Sequence, residues 1–316
     1  MTYAVINGTG SYLPERQLTN VELETKMDTT DEWIFSRTGI KSRHVISAHE
    51  STSFMASEAA KKALEASSLN PNDIDLILVA TCTPDHFFPS VACYVQSALG
   101  LTRSVPAFDI SAACSGFVYA MDIAKQYISS GCAQHVMVIG SESLSLAVDW
   151  SDRATCVLFG DGAGAVVLSA NSEPGIMGSV LHAQYDESLL SYSSHTHENK
   201  KPLIAMRGNE VFKLAVNIMG DIVDEVLAAS HLKKSDIHWL IPHQANIRII
   251  QAIAKKLLLP MSQVVITIEN QGNTSAASIP LAIDHAVRTN QIKRGELLLL
   301  ESFGGGLTWG AMIIRY

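Results

Sequence analysis

Apolar residues recur at helical spacing in the segment that begins at Gly116. The apolar side chains there lie three and four residues apart, at Phe117, Ala120, Met121, Ala124, Tyr127 and Ile128. This period predicts an amphipathic helix. The preceding run, residues 105–110, lacks that period and is typical of a strand. Cys114 therefore lies at a predicted strand-to-helix junction, near the first turn of the helix and among small neighbours.

The position of Cys114 has two interpretations. The unpaired N–H groups at a helix start stabilise negative charge, which favours a reactive thiolate over a thiol. A buried cysteine can also be an inert residue that packs as a small hydrophobe. The rest of the chain has to decide between them.

Two pieces of the pattern occur twice along the chain and in the same order. Residues 73–77 (DIDLI) are echoed by residues 236–240 (DIHWL), and each copy follows a predicted helix and a polar turn. The glycine-containing apolar run at 159–168 is echoed at 303–314. Strands that alternate with helices in this way predict an α/β protein.

Between these landmarks, each copy contains one further strand, turn and helix. In the first copy this is the cysteine segment. In the second copy we predict a strand at 264–268, a turn at 269–275 and a helix at about 276–287. We therefore interpret the chain as two copies of one α/β unit, residues 1–170 and 171–316.

The duplication suggests that three polar residues, Cys114, His243 and Asn273, lie near one another. Cys114 and Asn273 occupy corresponding turns of the two copies, and His243 follows the second copy of the repeated strand. Loops at corresponding strand ends converge when two such units pack around a pseudo-twofold axis. We therefore expect the cysteine, the histidine and the asparagine to share a cleft.

Composition narrows the class of protein. The 316-residue chain carries a net charge of −8, which gives no general attraction to nucleic acid or an anionic membrane, although a local basic patch remains compatible with it. The N-terminus lacks a signal-peptide pattern, and no apolar run is long enough to span a bilayer. The cysteines show no CxxC spacing, which predicts reduced thiols and a cytoplasmic protein. They lie at positions 82, 93, 114, 132 and 156.

Other motifs have ordinary structural explanations. The glycines of 160–164 do not match GxGxxG and run into a strand, so we expect a turn between close-packed strands rather than a dinucleotide site. The glycines of 304–306 permit the same interpretation, or their backbone N–H groups can hold an oxyanion. Residues 185–202 predict an exposed insertion, and His195, His197 and Glu198 within it predict a solvated loop rather than a metal site.

Taken singly, His243 can be structural and Asn273 can be a turn residue. Together with Cys114 they indicate thiol chemistry, for which two classes compete. A cysteine protease uses histidine to activate the thiolate and asparagine to orient the imidazole. A carbon–carbon bond-forming acyltransferase holds an acyl group on the thiolate and uses histidine and asparagine to stabilise an enolate. No papain-type nucleophile segment is present, which favours the acyltransferase.

A series of ordered motifs runs nearly from end to end of the chain. They are GTGSYLP (8–14), DEWI (31–34), RTGI (37–40), AACSGF (112–117), FGDGAGA (159–165), GNEVFK (208–213), PHQAN (242–246), GNTSAAS (272–278) and FGGG (303–306). In these motifs the sequence resembles the bacterial β-ketoacyl-[acyl-carrier-protein] synthase III family, condensing enzymes of the thiolase superfamily that initiate fatty-acid synthesis.

The resemblance implies a thiolase-like α/β fold, with two halves in a five-layered αβαβα sandwich, and a homodimer. It implies Cys114, His243 and Asn273 as the catalytic triad, and the backbone N–H groups of Cys114 and Gly305 as the oxyanion hole. The implied substrates are acetyl-CoA, or another short acyl-CoA, and malonyl-acyl-carrier-protein. It implies no metal and no redox cofactor.

The resemblance also implies residues that bind coenzyme A. Trp33 and Arg153 are expected to flank the adenine. The residues expected to contact other parts of the ligand are Thr29, Arg37, Gly208 and Asn246.

Two further sites are expected at the edges of this machinery. Phe88 is expected to close the acyl pocket, often from the partner subunit, with a core or dimer contact as the alternative. Docking of the acidic carrier protein is expected on a basic patch, with a solvated helix face as the alternative. Its residues are Arg248, Lys255 and Lys256 on the helix after His243, and Lys213 near them.

Two other functions remain open at this point. One is a related condensing enzyme that loads a longer or unusual acyl primer for a specialised product. The other is a non-catalytic relative that only binds acyl-CoA, against which the complete triad argues.

Overall fold

The computed structural model describes residues 2–192 and 203–316. The strands are β1 (Tyr3–Tyr12), β2 (Gln17–Thr19), β3 (Ser42–His44), β4 (Leu76–Ala80), β5 (Ala107–Ile110), β6 (His135–Ser143), β7 (Asp161–Asn171), β8 (Ile176–Asp186), β9 (Leu190–Tyr192), β10 (Ile204–Met206), β11 (Trp239–Pro242), β12 (Leu297–Gly304) and β13 (Gly306–Arg315). The helices are α1 (Asn20–Glu24), α2 (Asp31–Thr38), α3 (Thr52–Ser67), α4 (Val91–Ala98), α5 (Gly116–Ser129), α6 (Gly208–Ala229), α7 (Ile247–Leu257), α8 (Ile268–Gln271) and α9 (Ser278–Arg288).

The predicted junction around Cys114 is confirmed. β5 ends at Ile110, a 3-10 turn covers Ala113–Ser115, and α5 begins at Gly116. Five of the six apolar positions of the predicted period are buried in α5, and the sixth, Tyr127, is partly buried. Cys114 thus lies in the turn that leads directly into the helix.

The four strands of the second sheet correspond, in order and direction, to the first four strands of the first sheet. The first sheet runs β1-β7-β6-β4-β5, and the second runs β8-β13-β12-β11. In each sheet the middle pairs alternate in the same way: β4 and β6 are parallel, as are β11 and β12, whereas β6–β7 and β12–β13 are antiparallel. The first sheet uses residues 3–171 and the second uses residues 176–315.

The second sheet differs from the first at the edge where a strand was predicted. Residues 264–268 do not form a strand: a parallel bridge joins Val264 to Leu240, and α8 begins at Ile268. This bridge occupies the place that β5 holds beside β4 in the first sheet. The physical reason is that the backbone N–H groups of Thr267 and Ile268 donate to the Gln244 side chain instead of to a neighbouring strand.

The predicted five-layered αβαβα sandwich is confirmed. One apolar cluster packs α3 and α4 against the outer face of the first sheet. A second places α5 and α9 between the two sheets, and a third packs α6 and α7 on the outer face of the second sheet. The central strands are covered on both faces, which explains why they read as continuous apolar runs.

The glycines of 160–164 were expected to form a turn, and this prediction is wrong. Residues from Asp161 onward belong to β7, which pairs with both β1 and β6. A Cβ on Gly164 would lie 2.5 Å from the backbone nitrogen of Leu281. The small residue therefore allows α9 to pack directly against the strand.

Within the described ranges, no helix is long and apolar enough to cross a membrane.

Candidate active site

Cys114 lies where the two halves of the chain touch. Its turn packs against the turn formed by Ser275–Ala277, which leads into α9. Each turn begins with a residue in the left-handed region, at Ala113 (φ 47°) and Ser275 (φ 49°). A Cβ on Gly304 would lie 2.6 Å from the backbone nitrogen of Cys114, so only glycine lets β12 approach this amide so closely.

His243 is held in a loop between β11 and α7 by bonds from both sides. Its backbone N–H donates to the Glu301 carbonyl at 2.9 Å. The neighbouring Gln244 donates through Nε2 to the Val265 carbonyl at 3.1 Å and accepts from the Thr267 N–H at 2.9 Å. The Gln244 side chain is fully buried, so it fastens the histidine loop to the segment that leads to Asn273.

Asn273 is positioned by the first half of the chain. Its backbone N–H donates to the Leu158 carbonyl at 2.8 Å, and its carbonyl accepts from the Gly160 N–H at 3.0 Å. Its side-chain Oδ1 accepts the Ser275 N–H at 2.9 Å. Because the amide oxygen is occupied, the Nδ2 donor is the end left for a ligand.

Two cavities meet at Cys114. A first cavity of about 250 Å³ is lined by Cys114, His243 and Asn273. A second cavity of about 640 Å³ also includes Cys114. Phe159 and Leu190 line both cavities, so these share a boundary at the thiol. The structure thus brings the three predicted polar residues to one site.

The first cavity also contains several of the residues expected to bind coenzyme A. Arg37, Gly208 and Asn246 line it, whereas Thr29, Trp33 and Arg153 do not. The Asn246 side chain is already engaged, because Oδ1 caps α7 by accepting the Arg248 N–H and Nδ2 donates to the Arg37 carbonyl. Asn246 therefore orders the loop at the same time as it faces the cavity.

Two arginine side chains lie against Trp33, where the adenine is expected. The Arg153 guanidinium lies 4.7 Å from the centre of the Trp33 ring, and the Arg37 guanidinium lies 4.8 Å from it. Arg153 also donates to the Asp28 carbonyl. A base that inserts between Trp33 and Arg153 must therefore displace the arginine. The hydroxyl of Thr29 is buried with no partner among the described residues.

The described part of the predicted insertion, residues 185–192, is exposed at several positions and also lines the second cavity. β9 pairs with β10, and this hairpin supplies Leu190, Tyr192 and Ile204 to the cavity wall. Cys82 lines the same cavity, and burial raises the pKa of its thiol to about 12. His195, His197 and Glu198 lie outside the described residues.

A buried carboxyl group lies behind the second cavity. Glu142 accepts hydrogen bonds from the Cys82 N–H at 3.0 Å and the Thr83 hydroxyl at 2.7 Å. Burial raises the pKa of Glu142 to about 7. Glu142 is not itself in the cavity wall, but it binds Thr81 and Cys82, which are.

Phe88 does not line either cavity of its own chain. Its side chain is 87% exposed, which excludes the core interpretation. Phe87, which is 76% exposed, lines the second cavity instead. The expectation that Phe88 closes the acyl pocket is therefore not met within one chain, and a contact with a partner subunit is the interpretation left.

Not every cation of the predicted basic patch is available to a partner. Arg248 lines the first cavity, with its guanidinium 5.3 Å from the centre of the Phe212 ring, and Lys213 follows Phe212 on α6. Lys255 is exposed. Lys256, by contrast, forms a 2.9 Å ion pair with Asp221 of α6. Lys256 therefore does not offer an unpaired cation.

The pKa of Cys114 contradicts the prediction of a stabilised thiolate. Burial is the main cause that raises the pKa of the Cys114 thiol to about 11; the hydrogen bond with Ser275 opposes this rise, and the charge of Glu142 adds to it. The helix start does not outweigh the loss of hydration. Cys114 is therefore a neutral thiol at neutral pH.

This raised pKa predicts an alkaline profile for chemical modification. We expect alkylation of Cys114 by iodoacetamide to accelerate about tenfold per pH unit from pH 7 to pH 9, because only the thiolate reacts. Site-resolved mass spectrometry measures the rate, with N-acetylcysteine as the reference thiol. A rate that levels off below pH 8 would contradict the neutral thiol and restore the sequence-based prediction.

The imidazole of His243 is also neutral. Burial lowers its pKa to about 3. Its Nδ1 lies 2.6 Å from the hydroxyl oxygen of the buried Ser278. A neutral histidine offers one N–H donor and one acceptor, so it can stabilise a developing oxyanion without being consumed as an acid.

Sequence reasoning missed the buried polar residues that support this site. Glu301 is fully buried, neither carboxyl oxygen has a partner in the described part of the chain, and burial raises its pKa well above the ordinary range. One acidic residue inside the apolar run of β12 was the available signal. Gln244 and Ser278 lie inside motifs already quoted, but nothing in the sequence pairs them with His243. Among the described residues, no cluster of His, Cys, Asp and Glu could hold a metal.

Two family models match parts of the chain. The model for 3-oxoacyl-[acyl-carrier-protein] synthase III matches residues 108–184, and the model for the C-terminal part of 3-oxoacyl-[acyl-carrier-protein] synthase III matches residues 227–316. The first match contains Cys114, and the second contains His243 and Asn273.

Full-length relatives give the same result. The chain is 56% identical to a β-ketoacyl-[acyl-carrier-protein] synthase III of Coxiella burnetii over 100% of both chains. It is 54% identical to that of Methylococcus capsulatus over 99% of both chains. Its fold matches a crystal structure of 3-oxoacyl-[acyl-carrier-protein] synthase III from Aquifex aeolicus with a TM-score of 0.94 and 49% identity, covering 99% of this chain and 100% of that one.

Proposed function

Because this chain belongs to the β-ketoacyl-[acyl-carrier-protein] synthase III family, we propose that it joins acetyl-CoA, or another short acyl-CoA, to malonyl-acyl-carrier-protein. The products are acetoacetyl-acyl-carrier-protein, coenzyme A and carbon dioxide. The observation that carries this proposal is the single cavity lined by Cys114, His243 and Asn273. It holds a nucleophile and two neutral hydrogen-bond donors.

In the first half-reaction, the Cys114 sulfur attacks the thioester carbonyl of the acyl-CoA. The new carbon–sulfur bond forms as the bond to coenzyme A breaks, and the proton of the thiol ends on the departing coenzyme A. The backbone N–H groups of Cys114 and Gly305 hold the oxyanion of the tetrahedral intermediate. The close approach of Gly304 to the Cys114 amide supports this assignment.

In the second half-reaction, the malonyl thioester loses carbon dioxide and becomes an enolate. His243 and Asn273 donate hydrogen bonds to its carbonyl oxygen, where the negative charge develops. The enolate carbon then attacks the acyl-cysteine, the carbon–sulfur bond breaks, and the Cys114 thiolate regains a proton from solvent. Burial supports this division of roles because it keeps His243 neutral.

The experiment that tests this function is steady-state condensation with purified protein, malonyl-acyl-carrier-protein and a panel of straight and branched acyl-CoA primers. We expect β-ketoacyl-acyl-carrier-protein as the product, with short primers preferred. Acylation of Cys114 without condensation would indicate a protein that only binds and retains acyl groups. A preference for long or unusual primers would assign the protein to a specialised pathway.

We further propose that Trp33 and Arg153 bind the adenine after Arg153 leaves its stacked position, with Thr29, Arg37, Gly208 and Asn246 along the rest of coenzyme A. The unpartnered hydroxyl of Thr29 supports a ligand contact there. The five free cysteines suit a reducing compartment, so we propose the cytoplasm as the location.

The acidic carrier protein requires a local basic surface on a chain whose net charge is −8. We propose that this surface comprises Lys213, Arg248 and Lys255, with Lys256 contributing only after it leaves Asp221. Arg248 supports the assignment because it is exposed and also lines the cavity that contains His243. A carrier docked here can pass its prosthetic arm into that cavity.

We expect Arg248→Glu to lower kcat/KM for malonyl-acyl-carrier-protein strongly, because the substitution reverses a charge at the docking surface. We also expect wild-type activity to fall as salt is added. The rate at which acetyl-CoA acylates Cys114 should change much less in Arg248→Glu. Lys293→Glu, which makes the same charge change at another exposed lysine, serves as the control. An equal loss of rate with malonyl-acyl-carrier-protein and with malonyl-CoA would show that Arg248 serves the cavity rather than the carrier.

We propose a homodimer that pairs the β5 edges of two chains. β5 ends the first sheet and hydrogen-bonds to β4 alone among the named strands. Phe108 on this edge is 37% exposed, and Phe87 and Phe88 are exposed as well. An uncovered strand edge with apolar side chains is a surface that proteins usually cover. In this arrangement Phe88 of each chain closes the acyl pocket of the other.

We expect Phe88→Ala to extend primer acceptance toward longer acyl chains, because the truncated side chain leaves the far end of the pocket open. The measurement is kcat/KM across the primer panel, with sedimentation to verify the dimer. Phe54→Ala, which truncates a partly exposed phenylalanine on α3, is the control. An unchanged chain-length preference in an intact Phe88→Ala dimer would remove Phe88 from the pocket.

A further inference from the structure

The buried hydroxyl of Ser278 contacts the proposed catalytic histidine. Ser278 is the first residue of α9 and is 1% exposed. Its Oγ lies 2.6 Å from Nδ1 of His243 and accepts the backbone N–H of Gln244 at 3.4 Å. The other ring nitrogen, Nε2, has no hydrogen-bond partner in the described part of the chain, and the ring lines the first cavity.

Counting hydrogens decides which ring nitrogen carries the proton. The Ser278 oxygen already accepts from Gln244, so its own hydrogen needs an acceptor. Among the described residues, Nδ1 of His243 is the one acceptor within reach. If Nδ1 carried the ring proton instead, two donors would point at the Ser278 oxygen while its own hydrogen stayed buried and unpaired, which is costly.

We propose that Ser278 is a positioning residue that fixes His243 in the tautomer whose proton is on Nε2. This inference rests on the proposed function, because that tautomer is the one that can donate to the carbonyl of the malonyl thioester. In the other tautomer, Nε2 would present a lone pair to the developing oxyanion and repel it. In a neutral histidine, the bond made at one nitrogen sets the role of the other.

The loop that carries His243 is held mainly by bonds other than the one that sets the tautomer of its ring. Gln244 holds the loop through bonds to the Val265 carbonyl and the Thr267 N–H, and the His243 N–H is bonded to the Glu301 carbonyl. None of these bonds involves the imidazole or the Ser278 hydroxyl. Removal of that hydroxyl frees the Gln244 backbone N–H but leaves these bonds intact, so the loop is still held while the tautomer of His243 is no longer fixed.

The kinetic test compares Ser278→Ala with Ser278→Thr. We expect Ser278→Ala to lower the rate of malonyl-CoA decarboxylation about ten- to a hundred-fold, by analogy with the loss of a partner that orients a metal-binding histidine. Acetylation of Cys114 stays within about twofold of wild type, and Ser278→Thr restores decarboxylation because it keeps the hydroxyl. Ser57→Ala, which removes a buried hydroxyl bonded within α3, is the matched control.

The direct test is nitrogen NMR of protein labelled with 15N in its histidine rings, with the His243 signals assigned by their loss in His243→Gln. We expect wild type to show a protonated Nε2 and a bare Nδ1, and Ser278→Ala to show a mixture. A proton on Nδ1 in wild type would overturn the proposal, as would wild-type decarboxylation by Ser278→Ala. An equal loss of acetylation and decarboxylation would also overturn it. Wild-type protein that decarboxylates neither malonyl-CoA nor malonyl-acyl-carrier-protein would refute the proposed function, while the ring spectrum would still decide the tautomer.

Discussion

Cys114→Ala is expected to abolish both condensation and the acyl-enzyme, because among the described residues Cys114 is the one thiol that lines both cavities. Intact-protein mass spectrometry after mixing with acetyl-CoA should show an acetyl adduct in wild type and none in the variant. Decarboxylation of malonyl thioester should survive, since His243 and Asn273 both remain. The variant thus separates the two half-reactions.

The control for this experiment is Cys132→Ala, which removes an exposed cysteine and should leave acetylation intact. Cys82 is the alternative nucleophile to test, because its thiol lines the same cavity as Cys114. An acetyl adduct that persists in Cys114→Ala at the wild-type level would refute Cys114 as the nucleophile. Peptide mapping would then show whether Cys82 had taken its place.

The second large effect is expected at the two proposed carbonyl-binding residues. His243→Ala or Asn273→Ala should slow decarboxylation about a hundred- to a thousand-fold, the usual cost of losing one oxyanion donor. Acetylation of Cys114 should be spared, since its oxyanion is held by backbone N–H groups. Carbon dioxide release and intact mass measure the two steps on the same preparation.

Asn273→Asp makes this comparison more stringent. The carboxylate keeps the shape of the side chain and can still accept the Ser275 N–H, but it has no Nδ2 donor. We expect it to decarboxylate no faster than Asn273→Ala. A variant that lost acetylation yet decarboxylated normally would reverse the roles proposed for the two half-reactions.

Much of the fold could be predicted because its signals are local and occur twice. The helical period after Gly116 and the repeated apolar strands depend only on residue spacing, and the layers follow from strands buried on both faces. The errors arose where tertiary contacts override local pattern. Residues 264–268 have strand-forming side chains, but two backbone N–H groups there are bound by Gln244. Gly164 is required by the packing of α9, and Gly160 by the close approach of the Gln271 carbonyl, which no local rule anticipates.

In the site, as in the fold, some features could be predicted from the sequence and others depend on tertiary contacts. The duplication was enough to predict that Cys114, His243 and Asn273 share a cleft, because equivalent turns converge. The protonation state of Cys114 could not be predicted, since it depends on burial and on a carboxyl group, Glu142, that is distant in sequence. The pairing of Lys256 with Asp221 also depends on how two helices pack.

The shared position of Cys114 has a kinetic consequence. The first cavity, and not the second, is lined by His243 and Asn273 and also by three residues proposed to bind coenzyme A, which are Arg37, Gly208 and Asn246. In the proposed mechanism, both thioester substrates therefore use the first cavity, one after the other. The protein can bind its second substrate productively only after coenzyme A has left. This order imposes a ping-pong scheme, with parallel double-reciprocal plots. It also makes each substrate a competitive inhibitor of the other, so that excess malonyl thioester slows the reaction by occupying protein that has not yet been acylated.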